Sequence, residues 1–225
     1  MKTANLSYIP PATLIDRARI FFVQTLWHAE LIEALEQEAR QQLALFRFPE
    51  TKIHTLKVAG AFEVIHLSAA IVRRYVWKQG FSQVVAVRGP THIQSNLRLP
   101  PFFQGSFESQ LRSEFLLESP GPIAYFQPYS PTSSDELPII ITLACILRGE
   151  TEHHRYLAYA VIQHLAHLNS TSGVPVILGV LTPDTVEQAW ERVSQAQDWV
   201  KAGFLLWESR LRLAEIDQGN VLTEL

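Results

Sequence analysis

Four short apolar runs, each followed at once by polar or aromatic residues, constrain this chain more than anything else in it. They lie in VQTLWHAELI (23–32), VAGAFEV (58–64), LACILRGETEHH (143–154) and VPVILGVLTPDTVEQAWER (174–192). Runs of this length and branching read as buried strands, and helical spacing follows each of them. Strands that alternate with helices call for βαβ units and a parallel sheet. In such a sheet the residues just past the strand ends all open on one crevice, where ligands bind.

The segments between these runs agree. RIFFV (19–23) reads as a short buried strand. Residues 29–46 carry Leu31, Ile32, Leu35, Ala39, Leu43 and Phe46 at helical spacing. Residues 53–59 read as a second strand, and 64–78 as a helix with Val64, Leu67, Ile71, Val72 and Tyr75 on one face. LPIIITLACIL (137–147) has the β-branched density of a strand covered on both faces. Residues 153–169 read as a helix and 174–182 as the next strand, with Pro175 placed near its start. A last helix spans about 185–217, with a break expected near 194–199 and a stripe of Val200, Phe204, Trp207 and Leu211 beyond it. Residues 1–16 carry two prolines and little periodicity, which suggests an extended arm or loose tail.

Residues 83–136 interrupt the alternation. They are rich in Pro, Ser, Gln and Phe, and read as an insertion of about fifty residues. Phe102, Phe103, Phe107, Phe115, Tyr125, Phe126 and Tyr129 are too many aromatics for a free linker, so the insertion is expected to pack on the parent domain or a neighbouring subunit.

The 225 residues suit one α/β domain plus that insertion. With a net charge of −3 there is no basic stripe for nucleic acid, and zinc-finger, RNP and Walker A patterns are absent. The single cysteine, Cys145, can form no intrachain disulfide, which fits a reducing cytoplasm. No signal-peptide pattern is expected at the start. The longest apolar runs are too short for a membrane span.

The residues after the runs suggest a chemistry. Arg148-Gly149-Glu150-Thr151 lies between a strand and a helix, either as a plain capping turn or as an anion site at a helix N-terminus. Thr151 is a candidate cap. His153, at the head of the helix, can be a solvated or capping residue, or a proton carrier near neutral pH. Arg192 can be a surface cation or a planar phosphate fork. Trp27 can be core, or a flat platform for a heterocycle. Ala61, Phe62 and Glu63 form a turn whose backbone can read a ring edge. Glu63 is either a helix N-terminal acid or an acceptor for hydroxyls, and the two roles are compatible.

In wording, order and spacing, GAFE (60–63), RGETxH (148–153) and GVLTxxTxEQAxxR (179–192) resemble the lumazine synthase family. The resemblance covers about 16–82 and 137–217. It implies a flavodoxin-like three-layer α/β/α sandwich with a four-stranded parallel sheet, in a single domain over 1–225 with an N-terminal arm (1–16) and the insertion (83–136). It implies condensation of 5-amino-6-ribitylaminouracil with 3,4-dihydroxy-2-butanone 4-phosphate to 6,7-dimethyl-8-ribityllumazine and phosphate. No metal and no organic cofactor is implied. The partners implied are the small-molecule substrates and further copies of the chain, as a homopentamer or an assembly of pentamers. His153 is implied as the proton carrier. Glu150, Thr151 and Arg192 are implied at the phosphate, Arg192 from the neighbouring subunit. Trp27, Ala61, Phe62, Glu63, Cys145, Ile146, Leu147 and Leu178 are implied at the pyrimidine and ribityl chain.

This chain departs from the family pattern in three places. SQAQDWVKAG (194–203) replaces the family's Gly-Asn-Lys-Gly loop, leaving Lys201 as the nearest lysine. Arg155 stands where the family has an acid. The insertion is the third departure. A second reading follows from these departures, a catalytically weak or inactive paralogue that binds a flavin or lumazine or serves as an oligomeric scaffold.

Overall fold

The computed structural model describes residues 7–78 and 128–217, which lie in one compact unit. The expectations for residues 1–6 and 79–127, including six of the seven insertion aromatics, lie outside the described residues.

Four strands, β1 (Ala18–Thr25), β2 (Ile53–Val58), β3 (Leu137–Cys145) and β4 (Val176–Leu181), form one sheet in the order β2-β1-β3-β4. Every pairing is parallel. The register sets Phe22 beside Thr55 and Ile141, and Cys145 beside Leu181. β3 lies inside the sheet and all of its residues are buried, as its unbroken apolar run requires. The helices are α1 (Ala12–Arg17), α2 (Ala29–Leu45), α3 (Ala61–Lys78), α4 (His153–Ser172), α5 (Val186–Trp190) and α6 (Gln195–Asp217). α2 packs with α6 on one face of the sheet, and α3 with α4 on the other. Alternation along β1 shows the two faces: Phe21 meets Tyr75 of α3 edge-on at 6.0 Å, while Phe22 carries the Arg40 guanidinium of α2 over its ring at 5.7 Å. The architecture is the expected flavodoxin-like sandwich.

Most boundaries fall within two residues of the sequence expectation. α3 starts earlier, at Ala61, because the Gly60 N–H donates to Glu63 Oε2 at 3.0 Å and caps the first turn. The break in the last helical region is the turn at 191–194, just before the expected 194–199. Beyond it Val200, Phe204 and Trp207 are buried and Leu211 packs beside them, as the stripe predicted. The arm reading is corrected at its inner end. Residues 12–17 form α1, Leu14 is buried, and Tyr8 donates to Glu208 Oε2 at 2.7 Å.

The described end of the insertion docks on its own domain. Tyr129 is buried, its N–H donates to Ser172 O at 2.7 Å, and its hydroxyl donates to Glu136 O at 2.6 Å. Glu136 in turn accepts from Tyr75 at 3.2 Å and pairs with Arg19. Burial and the Glu136 carboxylate push the Tyr75 phenol well above its ordinary pKa, and burial pushes Tyr129 up to about 12.

Candidate functional site

The strand order places the topological switch between β1 and β3. The chain leaves β1 toward α2 on one face and leaves β3 toward α4 on the other, which opens a crevice between the two loops. Trp27 stands on the β1 side. Its indole is 70% exposed, which excludes the core reading, and its Cδ1 and Nε1 come within 3.9 Å of where a side chain on Gly60 would begin. The structure therefore brings Trp27 and the 60–63 turn together. Ala61 is buried, while Phe62 and Glu63 are exposed. One Glu63 oxygen caps Gly60, so the helix-acid reading holds, and the other oxygen can still accept hydrogen bonds.

His28, the next residue, begins α2 in the left-handed region, with φ 58° and ψ 43°. That conformation turns the chain sharply out of the strand and leaves Trp27 at the crest.

On the β3 side Cys145 and Ile146 are buried and Leu147 is half-buried. The Ile146 N–H is already bonded to Leu181 O at 2.8 Å, so that residue offers a ligand its carbonyl and side chain only. Burial pushes the Cys145 thiol up to about 11, so it is not a thiolate near neutral pH. Cys145 and Leu147 line a cleft of about 240 Å³ with His28, Glu30, Val186 and Trp190.

The 148–151 turn lies beyond, fully exposed. Gly149 has open space where a Cβ would stand. The capping expectation for Thr151 is corrected. Glu152 is the N-cap residue and no side chain caps α4, while the Thr151 carbonyl accepts instead from His154 Nδ1 at 2.8 Å. No side chain therefore satisfies the first N–H groups of α4, although that of Arg155 already donates to Glu152 O at 3.0 Å. His153 is exposed at the first position of α4, and its ring makes no hydrogen bond with any described residue. Arg155 donates to Glu152 Oε2 at 2.8 Å, across one turn.

Three of the candidate residues lie apart from this crevice. Leu178 is 40% exposed in the middle of the edge strand β4, level with Thr142 and three residues short of the strand end. Arg192 follows α5 and donates to Gln188 O of that helix, and it lines neither this cleft nor the one beside the 148–151 turn. Lys201 is buried on α6 at 7% exposure, with its Nζ 3.0 Å from Asp198 Oδ1. It is the one lysine the sequence offered for phosphate, and its own helix occupies it.

Sequence reasoning missed Arg148 and Asp184 as a pair. The Arg148 N–H donates to Pro183 O at 3.1 Å and its guanidinium reaches Asp184 at 3.5 Å, which ties the ends of β3 and β4 together. The signal was the opposite charge carried three residues past each strand end, at Arg148 after β3 and Asp184 after β4. No group of three metal-ligating side chains occurs among the described residues. No described helix is long and apolar enough to cross a membrane.

These features define an open parallel α/β domain whose strand ends present an exposed indole on the β1 side and an exposed turn without a side-chain cap on the β3 side. The model of the 6,7-dimethyl-8-ribityllumazine synthase family matches residues 122–215, and over that stretch the chain is similar to this family. The match takes in β3, the 148–151 turn, His153, β4, Arg192 and most of α6. It supports a function of the lumazine synthase type in the riboflavin pathway. The likeness at Trp27 and GAFE lies outside the matched stretch and stands on the residues themselves.

Proposed function

We propose that the protein condenses 5-amino-6-ribitylaminouracil with 3,4-dihydroxy-2-butanone 4-phosphate. The uracil's 5-amino group attacks the ketone and water leaves, giving an imine. Phosphate is eliminated, and the ribitylamino nitrogen closes the second ring with loss of a second water. The products are 6,7-dimethyl-8-ribityllumazine, phosphate and two waters. The imine joins the two substrates, so no lysine of the protein is consumed.

The observation that carries the reading is the exposed 148–151 turn with His153 free at the head of α4, inside the family-matched stretch and across the switch point from Trp27. In this reading Trp27 stacks on the pyrimidine and the 61–63 turn reads its edge, while Glu63 takes ribityl hydroxyls. Cys145, Ile146 and Leu147 form the floor. Glu150 and Thr151 frame the phosphate, and His153 moves protons. Orientation supplies most of the rate, since effective molarity in a well-aligned pair lowers a barrier by several kcal/mol, roughly 7–11 at best.

Arg192 and Leu178 then serve the site of a neighbouring copy, in a cytoplasmic homopentamer or an assembly of pentamers. The exposure of Leu178 in the middle of an edge strand supports a ring of heterologous contacts.

The test is lumazine formation from the two purified substrates, followed by fluorescence against the uncatalysed rate, with the mass of the assembly measured in the same buffer. A rate well above background that falls in Arg192→Ala and His153→Ala supports the enzyme. A folded oligomer working at the background rate overturns it. The second reading, a lumazine- or flavin-binding scaffold, draws on the burial of Lys201 and the cation at Arg155. It predicts stoichiometric lumazine binding with no turnover.

A further inference from the structure

The proposed reaction brings a phosphate ester to the 148–151 turn and releases phosphate there, so cations must balance that charge. Within the chain, Lys201 is buried against Asp198, and Arg192 is turned back on its own helix. Arg148 and Arg155 stand open beside the turn. Arg148 opens it and Arg155 follows it from the first turn of α4. Both line a cleft of about 510 Å³ with His154, at the ends of β3 and β4. That cleft is separate from the one lined by Cys145 and Trp190.

Each arginine has a carboxylate neighbour, Asp184 at 3.5 Å and Glu152 at 2.8 Å, and each reaches it through one terminal nitrogen. The arginine side chains remain 65% and 62% exposed. Pairs so exposed hold loosely, and a guanidinium has five donors, so both keep an edge for an incoming anion. The carboxylates aim the two forks rather than cancel them. His154 joins the turn to the cleft. Because its Nδ1 faces the Thr151 carbonyl, that nitrogen carries the proton.

We propose that Arg148 and Arg155 determine specificity for the phosphate end of the four-carbon substrate, selecting the phosphorylated ketone over its unphosphorylated form. The proposal rests on the lumazine synthase reading. Its test separates the two.

Inorganic phosphate is titrated into the full-length protein by calorimetry, and the KM of each substrate is measured alongside. Arg148→Gln and Arg155→Gln should each weaken phosphate binding about tenfold or more, the usual loss for a charge-assisted hydrogen bond. They should raise the KM of the phosphorylated ketone by a similar factor and leave the KM of the uracil unchanged. Arg155→Lys should recover part of the loss, and Lys201→Met should bind phosphate as the parent does. Both arginines are exposed, so the variants should keep the parent circular dichroism spectrum.

The proposal is overturned if the parent binds no phosphate, if the folded double variant binds it within twofold of the parent, or if Lys201→Met abolishes binding. Phosphate binding that needs the arginines, without turnover above background, sinks the enzyme and keeps the cleft. Turnover indifferent to both arginines does the reverse.

Discussion

Gly179, the glycine of GVLT, has the closest neighbouring atom of the described glycines, and Gly179→Ala measures how demanding that is. A Cβ there would fall well inside contact distance of the Thr142 carbonyl oxygen, and 2.8 and 2.9 Å from Trp199 Cζ3 and Cε3. No side-chain rotation relieves a clash with backbone, so β4 must move away from β3 or the indole must leave the sheet. Overpacking of this kind costs about 1–3 kcal/mol. The shift would also break the two hydrogen bonds that Thr142 Oγ1 makes across the strand pair, to Ile177 O at 3.0 Å and from Gly179 N at 3.4 Å. Each is worth about 1 kcal/mol. The sum is about 3–5 kcal/mol, a large part of the roughly 5–15 kcal/mol that holds a domain together. The assay is urea unfolding followed by tryptophan fluorescence at one fixed protein concentration, because association would shift the midpoint. Gly149→Ala is the control. Its Cβ would meet nothing within 4 Å, so stability should stay within about 0.5 kcal/mol of the parent. A loss below about 1 kcal/mol in Gly179→Ala would refute the packing argument.

His28 sits at φ 58°, a region asparagine tolerates and β-branched residues do not. His28→Val should therefore cost about 1–2 kcal/mol more than His28→Asn, read as the difference in their unfolding free energies. Cys145 has a thiol pKa raised by burial from 9.0 to about 11. The folded state holds that proton more tightly, so its contribution is complete below pH 9 and is lost as pH rises toward 11. Cys145→Ala should flatten that part of the stability profile, and the parent's thiol should react with iodoacetamide only slowly at pH 8 unless the chain is unfolded. Replacing residues 83–127 with a flexible linker of about ten residues should leave the domain folded. Thermal unfolding of the shortened chain should remain a single transition.

β1, β3 and β4 were legible because each is an apolar run whose burial needs no partner information, with β3 the extreme case, while β2 is only half-buried. The crevice at the strand ends followed from the parallel alternation, whereas the switch point between β1 and β3 needed the sheet order. What escaped was decided by single contacts. α1 is only one or two turns long and follows Pro10 and Pro11, so it has no periodicity to read, yet burial of Leu14 holds it. Thr151 has the right chemistry for a cap, but its carbonyl faces His154 and the helix starts one residue later. Lys201 lies between Val200 and Phe204 of the inward stripe. Whether such a lysine reaches outward or lies along the helix depends on Asp198 one turn earlier, and spacing does not settle that. Trp27 could have been core or crest until the left-handed backbone at His28 put it outside.

The two ends of the sheet have different work, and the chain's departures from the family pattern divide between them. α3 runs back from the crevice to the opposite pole, and β3 starts from that pole. The described chain therefore ends α3 and resumes before β3 on the side away from Trp27 and the 148–151 turn. The described end of the insertion is held there by Tyr129, by Glu136 with Arg19 and Tyr75, and by Arg210, whose guanidinium donates to Gly173 O and to Tyr129 O at 3.1 Å. These groups belong to β1, α3, the turn after α4, the segment entering β3, and α6, so the pole is a knot of long-range contacts. A knot of this kind tolerates a long excursion of chain because closing a longer loop costs only about 0.6 kcal/mol per doubling of its length. The departures at Arg155 and Lys201 are of another kind. Both concern charge: an arginine stands exposed on the first turn of α4 beside the 148–151 turn, while a lysine is withdrawn into α6 against Asp198.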